Sequence, residues 1–590
     1  MSDPLPQARD FLAEDPDPGT REELSALVAR AEGGDEDARA DLGDRFAGPL
    51  VFGTAGLRGR VEAGLARMNR LVVMKATWGL GVHLLGQVKS GLDPRTRGVV
   101  VGFDGRPSSR QFAEDASAVL AGLGIPVHLF PDPVPTPLLS FAVPRLGASA
   151  GVMVTASHNP PPDNGYKVYL ASGAQIVPPV DAEIAARIAD APRLDGISRL
   201  APPDAAAASL RRLLDTTDHA VEDAYLDGVA RGALHPREDV PLRLAYTALH
   251  GVGHRLLVRA LARAGFSGVA VVPAQGDPDG TFRTVGFPNP EEPGAMDLVL
   301  ALAEETGAEL VLANDPDADR LAAAVPDANG GYRMLGGNEI GVLLGADAIE
   351  HTDAGGRPPL VVTTIVSSTL LSRIARDRGA SCRETLTGFK WIADAALRAE
   401  AEGEAFVFGY EEALGYSVGP LVRDKDGLSA AVRLAELARF LKGQGKSLVD
   451  RLDDLLVAHG LVHSVQWSVT LPGLEGEERI RRAMETLRQA PPERVGTSPI
   501  VRTLDLELGV ERTKGTHRSV DLPRSDVLVF EAEDGSRLLA RPSGTEPKIK
   551  FYLELAGKAA SAGEVSGARA RLEDEGQALR RALMARLELR

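Results

Sequence analysis

Short apolar runs recur along the chain, and several of them are followed by a polar turn and then by a stretch with helical spacing. In residues 98–124 the run GVVV leads through the turn DGRPSS into a segment rich in Ala and Leu. The same order recurs at 242–265 and 360–379. Strands that alternate with helices are typical of α/β layers with parallel or mixed sheets. Ligands of such sheets usually bind beyond the carboxyl ends of the strands, where this chain carries its polar loops.

The pattern changes from residue 463 onward, where alternating strands such as VLVFEAED and KIKFYLEL lead into a long helix rich in Ala, Arg, Glu and Leu. This style is typical of an α+β domain. Shifts in composition at 191–210, 326–339 and 462–478 indicate domain boundaries. We therefore predict an N-terminal extension (1–45), three similar α/β domains with mixed sheets (46–210, 211–326 and 327–462) and a smaller C-terminal α+β domain (463–590).

Composition narrows the classes of protein further. The charged residues comprise 66 Lys and Arg against 82 Asp and Glu, a net charge of −16, which disfavours nucleic acid and anionic membranes as partners. The single cysteine, Cys382, excludes an intrachain disulfide. The first residues, MSDPLPQARDFLAEDPDPG, lack the apolar core of a signal peptide. The sequence thus predicts a cytoplasmic protein that binds neither nucleic acid nor a membrane.

The segment TASHNPPPDNGYKVY (155–169) follows an apolar run and is dense in turn-forming residues. One interpretation is an ordinary surface loop, since Pro, Asn and Gly are the residues that turns select. The other is a nucleophile loop, because Ser157 has His158 beside it and Lys167 ten residues on. A serine hydroxyl needs a base and nearby positive charge to carry a phosphoryl group.

The segment NDPDADR (314–320) places Asp315, Asp317 and Asp319 on alternate residues after a predicted strand. Carboxylates this close repel one another unless a cation lies among them, and oxygen ligands suit Mg²⁺. An EF-hand is excluded, because Arg320 stands where its glycine belongs and Pro326 where its glutamate belongs. A solvated acidic turn and an aspartyl-phosphate hydrolase remain open at this point.

Further loops offer groups that suit a phosphorylated sugar. Arg541, Ser543, Gly544 and Thr545, between two predicted strands, can form a phosphate cradle, although a tight inter-strand turn has the same composition. Arg58 lies in a Gly-rich turn and can bind an anion.

The segment FGYEEALGYSVG (408–419) places Glu411 between glycines and tyrosines, where a carboxylate can accept hydrogen bonds from sugar hydroxyls. A charged surface loop is the alternative interpretation. Lys390 in TLTGFKWI (385–392) adds a cation. Together these loops indicate a phosphorylated carbohydrate substrate and Mg²⁺.

These segments, in this order and spacing over roughly residues 45 to 580, resemble the α-D-phosphohexomutase family. The TASHNP stretch is similar to the family's phosphoserine loop, and NDPDADR to its metal loop. GYEEALGY is similar to the sugar loop, and RPSGTEPKIKFY to the phosphate-binding loop. The first 45 residues and FGTAGLRG resemble the long phosphoglucomutase/phosphopentomutase branch of the family.

The resemblance implies four domains around a central cleft and a phosphoserine at Ser157. It further implies that the phosphate of Ser157 holds Mg²⁺ together with Asp315, Asp317 and Asp319. Arg58, His158 and Lys167 are expected around the transferring phosphoryl group. The substrate-binding residues that it implies are Arg320, Gly388, Lys390, Glu411, Arg541, Ser543, Gly544 and Thr545.

The predicted activity is a phosphosugar mutase that interconverts hexose 1-phosphate and 6-phosphate, glucose first, with Mg²⁺ and a hexose 1,6-bisphosphate as activator and intermediate. Phosphomannomutase and phosphopentomutase activities are the alternatives within the family. Ala413 stands where many members have a serine, and Tyr416 lies near a histidine of some members, so the identity of the sugar stays open. From other classes, a phosphohydrolase with Asp315 as nucleophile and an inactive sugar-phosphate-binding protein also stay open.

Overall fold

The computed structural model describes residues 3–53, 56–88, 91–201, 204–215, 219–237, 239–513, 515–543 and 547–589. The chain first forms the helices α1 (Leu5–Glu14), α2 (Pro18–Glu32) and α3 (Glu36–Arg45). Asp17 and Asp35 cap α2 and α3 by accepting hydrogen bonds from backbone N–H groups of the first turn. Leu24 and Leu42 pack with Leu71 of the next helix, so this N-terminal segment lies against the first α/β domain.

The first α/β domain contains α4 (Arg70–Gly86), α5 (Pro94–Arg97), α6 (Ser109–Gly122), α7 (Thr136–Arg145), α8 (Val180–Ala189) and α9 (Ala205–Leu210), with β1 (Leu57–Arg60), β2 (Val99–Phe103), β3 (Val127–Leu129), β4 (Ala150–Val154), β5 (Asp163–Leu170) and β6 (Arg211–Leu213). The strand order is β1-β5-β4-β2-β3-β6. β5 runs antiparallel to β1 and β4, while β2 is parallel to β3 and β4. Every residue of β2 and β4 is buried, which explains why both are continuous apolar runs.

The second domain contains α10 (Ala220–Arg231), α11 (His254–Arg263) and α12 (Asp297–Thr306), with β7 (Leu244–Thr247), β8 (Ala270–Val271), β9 (Leu310–Ala313), β10 (Ala322–Pro326) and β11 (Tyr332–Leu335). Its strand order is β11-β10-β9-β7-β8. β7 is parallel to β8 and β9, whereas β10 is antiparallel to β9 and β11.

The third domain contains α13 (Gly337–His351), α14 (Leu370–Asp377), α15 (Phe389–Ala401), α16 (Gly427–Gly443) and α17 (Leu448–His459), with β12 (Pro359–Thr364), β13 (Ser381–Thr385), β14 (Ala405–Glu411) and β15 (Gly415–Ser417). Its strand order is β13-β12-β14-β15, with β15 antiparallel to β14 and the other pairs parallel. α16 is buried along most of its length and packs between the second and third domains.

The C-terminal domain contains β16 (Leu461–Thr470), α18 (Gly473–Gln489), β17 (Arg494–Val495), β18 (Ser498–Asp505), β19 (Val510–Thr513), β20 (Thr516–Ser519), β21 (Leu528–Ala532), β22 (Arg537–Pro542), β23 (Lys548–Gly557) and α19 (Ala562–Arg586). The strand order is β16-β23-β22-β21-β18-β19-β20, and the described pairs are antiparallel. α18 and α19 pack against this sheet.

The predicted fold class is confirmed: domains with mixed sheets and helices precede a smaller C-terminal domain built on an antiparallel sheet. The sheets extend slightly past two of the divisions that composition indicated. β6 pairs with β3, so the first sheet reaches Leu213 and not 210, and β11 pairs with β10, so the second reaches Leu335 and not 326. Both differences arise because composition does not show which strands pair. An edge strand belongs to a sheet through its backbone hydrogen bonds, whatever its side chains are.

Within the described part of the chain, every helix is too short or too polar to cross a lipid bilayer.

Candidate active site

The loop after β4 holds Ser157 in a tightly fixed conformation. Ser157 is buried and has a φ of 51°, in the left-handed region that non-glycine residues seldom adopt. Its backbone N–H donates to Thr155 Oγ1 at 2.8 Å. Arg106, from the loop after β2, donates to the backbone oxygens of Ser157 (2.8 Å), Pro160 (2.7 Å) and Asp163 (2.9 Å). One guanidinium therefore ties several points of the loop together and holds Ser157 in place.

Arg106 is itself fixed by Asp104, with Nε donating to Oδ2 at 3.2 Å. Both side chains are almost completely buried. The backbone N–H of Arg106 also donates to Asp104 at 3.0 Å, and the hydroxyls of Ser109 and Thr155 donate to it at 2.6 and 2.7 Å. The sequence analysis missed this pair. The signal that points to it is the segment FDGR, which follows a buried strand directly and therefore lies at the ligand-binding edge of the sheet.

We expect Arg106→Ala to lower the free energy of unfolding by about 3–5 kcal/mol, because it leaves the buried Asp104 without its cation. The measurement is urea denaturation of the full chain, followed through its first transition. The exposed Arg39→Ala in α3 is the control and should change the value by less than about 0.5 kcal/mol. Equal effects of the two variants would contradict this role for Arg106.

The loop after β9 brings Asp315, Asp317 and Asp319 together. All three are fully buried, and their ligand oxygens lie within 4.8 Å of one another. Ser157 Oγ donates to Asp315 Oδ2 at 2.6 Å, although the two residues belong to different domains. Lys167 Nζ, on β5, donates to Asp317 Oδ2 at 2.8 Å and to Asp319 Oδ2 at 3.0 Å. The serine loop and the acidic loop thus form one site.

Burial and charge shift these groups in different directions. Burial, together with Asp319 and Asp317, raises the pKa of Asp315 well above its usual value. Burial also opposes ionisation of Asp319, but the ammonium groups of Lys167 and Lys425 hold the pKa of Asp319 far below its usual value. Burial alone would lower the pKa of Lys167, yet its two carboxylate partners raise it. Lys167 is therefore a permanent cation between two carboxylates.

The acidic loop fits a divalent cation. In the described residues, Oδ1 of Asp317 and Oδ1 of Asp319 are buried and accept no hydrogen bond. Buried carboxylate oxygens without a partner are costly unless a cation binds them. The donor set is entirely oxygen, which Mg²⁺ prefers. These residues therefore offer the oxygen ligands of a magnesium site, and two of these oxygens have no other partner.

His158 lies beside Ser157, with Nδ1 at 3.2 Å from Ser157 Oγ. Burial, together with the positive charge of Arg320 and Arg58, lowers the pKa of His158 well below its usual value. The imidazole is therefore neutral at physiological pH and can accept a proton or a hydrogen bond.

Two arginines offer unused donors beside this site. Arg58 Nη1 donates to Asn159 Oδ1 at 3.1 Å, and the backbone N–H of Arg320 donates to Asp315 Oδ1 at 3.0 Å. In the described part of the chain, the buried Nε atoms of Arg58 and Arg320 have no hydrogen-bond partner. Glu291 Oε2 lies 3.7 Å from Arg320 Nη1. The arrangement can bind an anion next to Ser157.

The third domain contributes Lys425 and Glu411. Lys425 Nζ lies 3.3 Å from Asp319 Oδ2 and 3.7 Å from Glu411 Oε1, so it connects the acidic loop with the end of β14. Leu321 N–H donates to the carbonyl of Leu414 at 3.0 Å, which fixes the two loops side by side. Lys425 was also missed from the sequence. Its signal is RDKDG, a charged turn that directly precedes α16.

Glu412, the neighbour of Glu411, carries a second, partly buried carboxyl group. Burial and the charge of Glu411 raise the pKa of Glu412 to about 7. The hydroxyls of Thr364 and Ser367 donate to Glu412 Oε2 at 3.3 and 3.2 Å.

Tyr416, which the sequence analysis placed near a histidine of some family members, is fully buried. Its OH donates to the carbonyl of Gly337 at 3.2 Å.

The fourth domain supplies cationic side chains on β22 and β23, beside the loop that joins these strands. Arg541 Nη1 donates to Thr387 Oγ1 of the third domain, and the backbone N–H of Ser543 donates to the carbonyl of Lys548 at 2.7 Å. Burial, together with Arg541 and Lys548, lowers the pKa of Lys550. Gly544 and Thr545 lie outside the described residues.

Two of the predicted substrate-binding residues, Gly388 and Lys390, lie at the start of α15. Gly388 has a φ of 110° and precedes the first residue of α15. Lys390, in the first turn of α15, donates to the carbonyl of Gly53 at 3.2 Å and lies 4.0 Å from Asp181 Oδ2. Both of these partners belong to the first domain. Lys390 therefore connects the first and third domains.

The chain matches, over most of its length, four domain families described for phosphoglucomutase/phosphomannomutase. The alpha/beta/alpha domains I, II and III match residues 49–194, 223–330 and 336–458, and the C-terminal domain matches residues 495–571.

Individual relatives carry several names. The chain is 42% identical over 503 residues to a protein of Haemophilus influenzae named probable phosphomannomutase, covering 83% of this chain and 93% of that protein. It is 38% identical over 563 residues to human phosphopentomutase, covering 91% and 89%. The crystal structure of Paramecium pp63/parafusin, a phosphoglucomutase, in its open form shares the fold with a TM-score of 0.67 at 19% identity, covering 90% of this chain and 95% of that one.

Proposed function

The chain belongs to the phosphoglucomutase/phosphomannomutase family, whose members are mutases acting on phosphosugars, and we propose that it interconverts the 1-phosphate and the 6-phosphate of a hexose, glucose first. In this proposal Ser157 carries the phosphoryl group, and a hexose 1,6-bisphosphate is both intermediate and activator. The observation that carries the proposal is the contact of Ser157 Oγ with Asp315 Oδ2 at 2.6 Å, which joins the candidate carrier to the acidic loop.

The chemistry follows from the groups around Ser157. The bond between phosphorus and Ser157 Oγ breaks, while a bond forms between phosphorus and a free hydroxyl oxygen of the sugar phosphate. The proton of that hydroxyl passes to the neutral imidazole of His158. Lys167, Arg58 and Arg320 stabilise the negative charge of the transferring group. Phosphoryl transfer depends mainly on such positioning and charge stabilisation.

The reverse transfer completes the reaction. The bisphosphate turns over in the site and returns its other phosphoryl group to Ser157, so the enzyme ends in its starting state. If the bisphosphate leaves, Ser157 remains unphosphorylated, and added bisphosphate restores it. This requirement explains why we expect the bisphosphate to activate.

Asp315, Asp317 and Asp319, with a phosphate oxygen on Ser157, are the residues that would hold Mg²⁺. When bound, Mg²⁺ supplies positive charge to the phosphoryl group as it transfers. Lys167 keeps Asp317 and Asp319 in fixed positions through its two hydrogen bonds.

The remaining contacts position the sugar and its second phosphate. Glu411 can accept hydrogen bonds from two adjacent hydroxyls, and Lys425 at 3.7 Å fixes its orientation. Arg541 offers a forked set of donors to the phosphate that does not react. The proposed substrate-binding residues are Arg320, Gly388, Lys390, Glu411, Arg541, Ser543, Gly544 and Thr545.

The identity of the sugar is the finer part of the proposal. Ala413 has no hydroxyl to offer, so contacts to the sugar hydroxyls rest more heavily on Glu411. Relatives named for mannose and pentose phosphates make those sugars the alternatives. A coupled assay with the 1-phosphates of glucose, mannose, ribose and glucosamine, with and without the matching bisphosphate, decides among them. A higher kcat/KM for ribose 1-phosphate than for glucose 1-phosphate would overturn the choice of glucose and leave the mutase chemistry intact. Release of inorganic phosphate without isomerisation would instead indicate a phosphohydrolase.

We expect Glu411→Ala to lower kcat/KM about 10²- to 10⁴-fold for every sugar phosphate that the enzyme accepts. Two hydrogen bonds to a charged acceptor contribute about 1.5–3 kcal/mol each, and 1.36 kcal/mol corresponds to a factor of ten. Glu402→Ala, an exposed glutamate of the same domain, is the matched control and should leave kcat/KM unchanged. A loss confined to one sugar would contradict a shared positioning role for Glu411.

A further inference from the structure

A second cluster of metal-ligating side chains lies outside the proposed active site, where the second and third domains meet. His235 lies in the segment between α10 and β7, and Asp347 and His351 lie one turn apart on α13. Ligand atoms of these three residues all lie within 4.8 Å of one another. They play no part in the proposed phosphoryl transfer.

Asp347 lies close enough to both imidazoles for the three side chains to be ligands of one ion. Asp347 Oδ1 lies 2.9 Å from His235 Nε2 and 3.0 Å from His351 Nδ1. Two ligands at about 2.1 Å from a tetrahedrally coordinated ion such as Zn²⁺ are separated by about 3.4 Å. Modest movement of the side chains therefore admits an ion among them.

Packing fixes the rings in this orientation. The Phe440 ring stacks on His235, with ring centroids 3.9 Å apart and an interplanar angle of 15°. His351 meets His235 edge-on at 4.7 Å. His235 and Asp347 are largely buried, whereas about a third of the His351 side chain is exposed. The exposed ligand gives an ion a route in from solvent.

We propose that His235, Asp347 and His351 bind a divalent transition-metal ion of the Zn²⁺ class, which joins the second domain to the third. Imidazole nitrogens suit ions such as Zn²⁺ and Co²⁺ and bind Mg²⁺ weakly, whereas the oxygen ligands of the acidic loop suit Mg²⁺. Each neutral imidazole must carry its proton on the opposite ring nitrogen, Nδ1 of His235 and Nε2 of His351. Solvent supplies the remaining ligands.

Without an ion, the same three residues form a hydrogen-bonded network in which both imidazoles donate to Asp347. The two arrangements make different predictions for metal binding. Equilibrium dialysis of the full chain against Co²⁺, with Mg²⁺ in excess to occupy the acidic loop, measures the stoichiometry. The visible spectrum of bound Co²⁺ reports imidazole and carboxylate ligands directly.

We expect one Co²⁺ per chain, displaced by Zn²⁺, with the same stoichiometry in wild type and in Asp319→Asn. His351→Ala and Asp347→Asn should weaken this binding about 100-fold or more, because even outer partners of a metal site contribute 10- to 100-fold. His459→Ala is the matched control, since His459 also pairs with an aspartate, at 2.6 Å, and should bind Co²⁺ as wild type does.

Retained mutase activity in His351→Ala would show that the variant is folded, so that loss of Co²⁺ is specific. Co²⁺ binding that is equal in wild type and Asp347→Asn, or absent from wild type, would overturn the proposal. Neither result depends on the identity of the sugar substrate or on Ser157.

Discussion

Ser157→Ala is expected to lower turnover by about 10³-fold or more with every sugar phosphate. The substitution removes the oxygen that accepts the phosphoryl group, so the covalent route is lost while the surrounding charges remain. A loss of that size corresponds to about 4 kcal/mol of activation free energy. Turnover is measured in the coupled assay with the bisphosphate present, so that failure to activate the enzyme does not mimic the effect.

Ser140→Ala is the matched control for this variant. Ser140 is also buried in the first domain, but its hydroxyl donates to the carbonyl of Gly173 at 2.7 Å. It should retain turnover near that of wild type. Intact-mass and peptide analysis of the wild-type protein should find one phosphate, on Ser157, and none on the variant at that position. Turnover near wild type in Ser157→Ala would sink the phosphoserine mechanism.

Most of the architecture could be predicted from the sequence because buried strands are continuous apolar runs. β2, β4, β9 and β12 each lie in a predicted run, and the change of style near 463 marks the antiparallel domain. Edge strands could be predicted less well. β6 is polar and short, and it belongs to the first sheet only through its pairing with β3.

The residues of the proposed site could be predicted from the sequence where they stand together in one loop. Ser157 with His158, and the three aspartates, are local motifs, and the structure brings them into contact. Arg106 and Lys425 were missed because the contacts that give them their roles, to the Ser157 loop and to Asp319, join residues far apart along the chain. The charged turns FDGR and RDKDG do not show these contacts by themselves. Lys425, for example, meets Asp319 across more than a hundred residues.

The electrostatics could not be derived from the motif alone. Three alternating aspartates indicate a cation, but the sequence does not show that Lys167 lies between two of them. That ammonium group neutralises part of the negative charge without occupying the oxygens that remain unpaired, Oδ1 of Asp317 and Oδ1 of Asp319. Two carboxylate oxygens of the acidic loop therefore remain available to a cation even though Lys167 binds the other oxygen of each carboxylate.

Removal of the metal is the second change for which we expect a large effect on turnover. We expect EDTA to reduce turnover about 10³-fold and Mg²⁺ to restore it, since a bound divalent ion contributes several kcal/mol to transition-state stabilisation. Asp317→Ala should cause a comparable loss that added Mg²⁺ does not restore, because it removes one ligand and one partner of Lys167. Bound Mg²⁺ should also raise the melting temperature of wild type, and Asp317→Ala should lose that rise.

Asp505→Asn separates loss of the metal from loss of a buried carboxylate in general. Asp505 is as buried as the acidic loop, but it pairs with Arg488 in the C-terminal domain, 3.3 Å from Nε. This variant should keep both the Mg²⁺-dependent activity and the Mg²⁺-dependent rise in melting temperature. Since Lys167 already neutralises charge within the acidic loop, activity that survives chelation would mean that this cation alone suffices, and it would reject the metal assignment.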